Sequence, residues 1–113
     1  MLFNPIAGRG RAVQVAGSVG ARLQALGHGS FERRSERAGH IRELAAEVAG
    51  EVDRVLVLGG DGSLREAAAG LLELDARDRP ELGVLPFGTG NVVARELGLP
   101  LDPMAAIDVI AAS

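Results

Sequence analysis

The chain is 113 residues long, 47% apolar and 24% charged, the composition of one globular domain and not of a disordered or fibrous segment. Twelve basic residues face fifteen acidic ones, a net charge of −3, so no general basic field recruits nucleic acid or an anionic membrane. All twelve basic residues are arginine, and cysteine, tryptophan and tyrosine are absent. Those absences exclude disulfides, thiolate metal sites, Schiff-base chemistry and any P-loop, which needs a lysine at its end, and with only three Phe they argue against base-stacking platforms.

Taken in chain order, Met1–Phe3 reads as the end of a strand, followed by the turn Asn4-Pro-Ile-Ala-Gly-Arg-Gly10. From Arg11 to Leu26, the residues Ala12, Ala16, Val19, Leu23 and Leu26 recur along one helical face, and Gly27 and Gly29 close that helix. A short strand is expected within Gly29–Arg34. Ile41, Leu44, Ala45, Val48, Ala49 and Val52 then trace a second amphipathic helix. Arg54–Leu58 is a continuously apolar, β-branched run, as expected of a strand covered on both faces. It enters Gly59-Gly-Asp-Gly-Ser63 and a helix striped by Leu64, Ala67, Ala68, Leu71 and Leu72. Glu73–Glu81 reads as a solvated loop. Leu82–Leu85 repeats the strand theme, before Pro86-Phe-Gly-Thr-Gly-Asn91 and a helix ending at Gly98. Asp102-Pro103 supplies an N-cap and a first-turn proline for a last helix carrying Met104, Ile107 and Ile110. Strands alternating with helices predict a mainly parallel sheet with helices on both faces, a three-layer α/β/α fold.

Three glycine-rich turns each follow a strand and open a helix: Asn4–Gly10, Gly59–Ser63 and Gly88–Asn91. In an open parallel sheet, ligands bind beyond the carboxyl ends of the strands, so all three could face one crevice. Glycines admit close backbone approach, and helix N-termini present free N–H groups, a combination suited to phosphate without lysine. Asp61 has two readings of equal weight. One is a carboxylate that meets phosphate through Mg²⁺; the other is a turn residue in left-handed conformation that caps backbone N–H groups. Ser63 and Glu66 form the Ser-x-x-Glu pattern of a capping box, and Asn91 reads equally as an N-cap. Thr89, between two glycines, has less structural reason to be there. His28 and His40 have no partner at ligand spacing and are expected at the surface or a helix start. Arg33, Arg34 and Arg37 read as a solvated face; Arg9 and Arg11 have the best case among the arginines for touching phosphate. No Ser/His/Asp triad or close carboxylate pair is evident.

Asn4-Pro-x-x-Gly8, Gly59-Gly-Asp-Gly-Ser63-x-x-Glu66 and Gly88-Thr-Gly-Asn-x-x-Ala-Arg95 resemble the signature of the diacylglycerol kinase catalytic domain, a family that includes bacterial lipid kinases, sphingosine kinases and ceramide kinases. Gly-Gly-Asp-Gly alone is shared with NAD kinases and phosphofructokinases; the other two turns carry the lipid-kinase likeness. The resemblance covers essentially the whole chain, including Ser35–Leu44 with Gly39-His40, and implies an NAD kinase/diacylglycerol kinase-like, Rossmann-related fold. It implies ATP binding at Asn4, Pro5, Ile6, Ala7 and Gly8, and at Ser35, where relatives usually carry Thr. It further implies binding at Gly59, Gly60, Asp61, Gly62, Ser63, Leu64, Arg65 and Glu66, and at Gly88, Thr89, Gly90 and Asn91. Mg²⁺ is implied at Asp61. Ser63 stands where Thr is usual, and Val92 where many relatives have an Asp of the metal network.

Family members carry a second, β-rich domain with the general base, further metal-binding residues and much of the lipid site. Residues 1–113 are therefore expected to be a nucleotide-binding domain with no catalytic residue of its own, part of an enzyme that moves the γ-phosphoryl of MgATP to a lipid hydroxyl. An NAD kinase-like enzyme and a truncated, non-catalytic nucleotide-binding module are the alternatives. No apolar run reaches the ~18–20 residues of a membrane span, and no signal peptide opens the chain. A cytoplasmic protein is expected, with peripheral membrane contact and a homodimer left open and no nucleic-acid partner.

Overall fold

The computed structural model describes residues 1–88 and 90–112. Four strands, β1 (Leu2–Phe3), β2 (Arg33–Arg34), β3 (Arg54–Gly59) and β4 (Glu81–Pro86), form one sheet in the order β2-β1-β3-β4, every pair parallel. The helices are α1 (Arg11–Ala25), α2 (His40–Val48), α3 (Asp61–Leu72), α4 (Val92–Glu96) and α5 (Pro103–Ala111), with single 3₁₀ turns at Ala49–Glu51 and Ala76–Asp78. The α/β/α expectation holds.

The three layers follow from the period-two alternation of side chains along the strands. Leu2, Val55 and Val57 face one way, against Ile41, Leu44, Ala45 and Val48 of α2 and Ala67 and Leu71 of α3. Phe3, Leu56, Leu58 and Leu85 face the other, against Ala12, Ala16, Val19 and Leu23 of α1 and Ala106 and Ile107 of α5. A strand with helices on both faces has no polar side to show, which explains the unbroken apolar run of β3.

Several elements depart from expectation. The second helix gives way to the 3₁₀ turn after Val48 and does not continue to Val52. On α3 the buried residues are Ala67, Gly70 and Leu71, while Leu72 is 64% exposed. Gly70 is buried because α2 crosses there at backbone contact: a Cβ on it would lie 2.1 Å from the Arg42 carbonyl oxygen. The loop after α3 is partly tied down, since the Arg79 guanidinium donates to the carbonyls of Leu71, Leu72 and Leu74 and caps the helix end. Of the two glycines after α1, only Gly27 is left-handed, with φ 88°. At α5 the reading holds in detail: Asp102 accepts from the Ala105 N–H at 3.3 Å and Pro103 occupies the first turn.

Strand order positions the site. From the adjacent strands β1 and β3, the chain leaves in opposite directions: α1 covers one face and leads to β2, α3 covers the other and leads to β4. Such a reversal opens a crevice at the carboxyl ends of the two strands.

Candidate functional site

Phe3 of β1 is level with Leu58 of β3, and Gly59 with Pro86 of β4, so the three glycine turns start at one height on one edge of the sheet. In the first, the Asn4 side chain accepts from the Ile6 N–H at 3.1 Å, and Gly8, Arg9 and Gly10 run through three left-handed residues, φ 61°, 60° and 88°. Arg9 is the only described non-glycine residue with positive φ. The first turn abuts the third: a Cβ on Gly8 would meet the Phe87 ring at 2.6 Å. Phe87 in turn donates its N–H to the Gly59 carbonyl at 3.1 Å. Ser35, just past β2, is buried and donates its backbone N–H to the Phe3 carbonyl, beside the first turn. His40, the first residue of α2, steadies the same loop by accepting the Glu36 N–H on Nδ1 at 2.9 Å.

Asp61 joins the second turn to the third. It is the first residue of α3, not a left-handed turn residue, and its carboxylate accepts the N–H groups of Val92 at 2.9 Å and Val93 at 3.1 Å. These two donors, with a smaller contribution from the Arg65 charge, hold its pKa below the ordinary carboxylate value against the opposing effect of burial. Asp61 therefore caps the helix that follows a different strand. Asn91, at the N-cap position of α4, makes no cap bond and donates its side-chain amide to the Gly88 carbonyl instead.

The capping box at Ser63 and Glu66 is not formed. Helix α3 begins three residues earlier than that motif requires, so Ser63 lies in the first turn and packs under Gly59, where a Cβ would come within 3.1 Å of its Oγ. Among the described residues no side chain caps the start of α3. Glu66 Oε1 and Asn91 Oδ1 are both buried without a hydrogen-bond partner among the described residues. Gly62 sits inside the first turn of α3 with open space where a Cβ would go.

Asn4–Gly8, Gly59–Glu66, Gly88, Gly90 and Asn91 are thus gathered at one end of the sheet, with Ser35 alongside; Thr89 lies outside the described residues. Sequence reasoning missed Phe87 as the hinge of the first and third turns, and Val92 and Val93 as Asp61 partners. Both contacts join residues distant in the chain and leave no local signal. Val92, noted only for its missing carboxylate, matters here through its N–H.

The arrangement defines a class: a Rossmann-like, parallel α/β domain with three glycine turns gathered at its switch point. Compared with known proteins, residues 1–113 match the family model of the diacylglycerol kinase catalytic domain. A diacylglycerol kinase of Mycobacterium tuberculosis is 44% identical over 111 residues, which cover 96% of this chain and 35% of that protein. One from Bacillus subtilis is 35% identical over 112 residues, covering 97% of this chain and 36% of the relative. A solved diacylglycerol kinase structure from Bacillus anthracis superposes with a TM-score of 0.85 at 30% identity, covering 98% of this chain and 40% of that one. The chain belongs to the diacylglycerol kinase catalytic domain family. It spans about a third of the length of the curated relatives it matches.

Proposed function

We propose that this chain is the nucleotide-binding domain of an ATP-dependent lipid kinase, which in its complete form moves the γ-phosphoryl of ATP to a lipid hydroxyl such as that of diacylglycerol. The observation that carries the reading is the uncapped start of α3 at a crevice where three glycine turns meet, with Gly62 in its first turn. Glycine in a helix costs about 0.5–1 kcal/mol relative to alanine. No neighbour among the described residues requires one at Gly62, so close approach of a ligand supplies the reason. Free N–H groups at a helix start, on the positive end of its dipole, suit a phosphate.

In this reading the turns at Asn4–Gly8 and Gly59–Ser63 hold phosphates against backbone N–H groups. Ser35, Leu64, Arg65, Glu66, Thr89 and Asn91 border the nucleotide. The Asp61 carboxylate fits a Mg²⁺ site: it is ionised, and each oxygen keeps a lone pair beyond the amide it accepts. The described residues contain no cluster of three acidic or imidazole ligands. One carboxylate suffices, however, because Mg²⁺ takes most of its ligands from phosphate and retained water. When bound, the ion neutralises phosphate charge. The general base and the lipid pocket are assigned to the part of the enzyme beyond these residues. Among the described residues no helix is long and apolar enough to cross a membrane.

Calorimetric titration of the chain with ATP in Mg²⁺ is expected to show weak saturable binding, and the chain is expected to phosphorylate no lipid. Gly62→Ala should raise unfolding stability by about 0.5–1 kcal/mol, since alanine is the better helix former, while lowering ATP affinity at least tenfold. Undiminished ATP binding in that variant would remove the glycine turn as the phosphate site.

A further inference from the structure

The twelve arginines divide into two groups. Eight are engaged within the fold. Arg22, Arg34, Arg37, Arg42, Arg54 and Arg77 pair with carboxylates, Arg33 lies 4.6 Å from the Phe31 ring centroid, and Arg79 caps α3. The other four, Arg9, Arg11, Arg65 and Arg95, make no ion pair, side-chain hydrogen bond or ring contact with the described residues. All four are exposed, and each lies on or after one of the glycine turns: Arg9 and Arg11 where α1 begins, Arg65 four residues past the start of α3, and Arg95 in the last turn of the short helix α4. Helical side chains lean toward the N-terminus, so those of Arg65 and Arg95 lean toward the helix starts that the second and third glycine turns open, and the Arg65 charge is felt at Asp61.

We infer that Arg9, Arg11, Arg65 and Arg95 form an arginine collar that grips the polyphosphate tail of a nucleotide; this rests on the reading that a nucleotide enters the crevice. Elsewhere the arginines are engaged with carboxylates, a ring or helix-end carbonyls, and with no lysine in the chain these four are the side-chain cations at the site left without such a contact among the described residues. Three carboxylates stand near them: Asp61, Glu66 and Glu96. Asp61 is already offset by the α4 amides, so the balance at the collar favours an anion. Guanidinium forks match phosphate oxygens in bidentate geometry and stay charged at every physiological pH. Affinity should therefore follow the charge of the phosphate chain.

The test is calorimetry in EDTA, so that no metal contributes, with ATP, ADP, AMP and inorganic tripolyphosphate as probes. Affinity is expected to rise with phosphate number, to include tripolyphosphate, and to fall steeply with salt. The double variants Arg9→Gln/Arg11→Gln and Arg65→Gln/Arg95→Gln should each lower ATP affinity tenfold or more with unchanged melting temperature. Arg77→Gln, whose contact with Asp75 spans 3.7 Å far from the turns, should leave affinity unaltered. Equal ATP affinity in both double variants would overturn the collar while leaving the nucleotide site standing. So would loss of adhesion to phosphatidylglycerol vesicles with ATP affinity retained, which would assign these arginines to a lipid headgroup surface. Failure of the unsubstituted chain to bind ATP in either Mg²⁺ or EDTA would instead overturn the nucleotide reading, and the collar with it.

Discussion

Asp61 shows how one side chain can satisfy a local and a distant requirement at once. By accepting two α4 amides it ties the second glycine turn to the third, and those same bonds keep it ionised. A carboxyl whose pKa is lower in the folded state contributes stability above its unfolded pKa, about 4, and that stability is lost as pH falls through the folded value. Asp61→Asn keeps the size but can accept with only one atom. It should therefore melt lower than the parent chain at pH 7, and the gap should narrow below about pH 4; a urea midpoint series from pH 7 to pH 3 measures both. In Mg²⁺, the same variant should also lose the metal dependence of ATP binding. Gly8 is the other residue-scale constraint. Its φ of 61° and the Phe87 ring 2.6 Å from an added Cβ both oppose a side chain. Gly8→Ala should destabilise by about 1–3 kcal/mol by chemical denaturation, less in a Phe87→Leu background, where part of the clash is relieved but the backbone strain remains.

At the scale of elements, α2 and α3 owe their contact to one glycine. Gly70 lets the Arg42 carbonyl approach until no Cβ would fit. Backbone cannot move aside as a flexible side chain can, so Gly70→Ala should part the helices and cost about 3 kcal/mol, at the upper end for overpacking. Gly62→Ala, eight residues earlier on the same helix, should do the opposite. Comparing the two variants in one denaturation experiment separates a glycine kept for packing from one kept open at the crevice. Ion pairs add little to this contact: Arg42 and Glu73 bridge the two elements, but both are half exposed.

At the scale of the whole molecule, the chain buries two cores, one on each face of a four-stranded sheet, and still leaves large apolar side chains in water. Ile6 on the first turn is 76% exposed and Leu97 at the end of α4 is 67% exposed, with Val92, Leu101 and Val109 also outward. Apolar surface of this kind favours association. The chain is therefore expected to self-associate at high concentration, and sedimentation showing a clean monomer there would count against it.

Element order, the parallel sheet and the gathering of three glycine turns at one end of it were legible in the sequence, because they rest on local periods and on glycine placed between strand and helix. The α5 cap was legible for the same reason, as Asp102, Pro103 and Ala105 are neighbours in the chain. Readings failed where a residue's partner came from elsewhere. Ser63 and Glu66 look like a capping box until α3 starts at Asp61, and nothing local marks Gly70 as the place where α2 lies against α3. Asp61 reads equally as a metal ligand and as a turn residue that caps amides, and only the packing of α4 shows which amides it accepts. Short-range hydrogen bonds and side-chain periods are written in adjacent residues; which helix start a carboxylate caps, and which arginines remain unpaired, depends on the packing of segments that sequence distance does not connect.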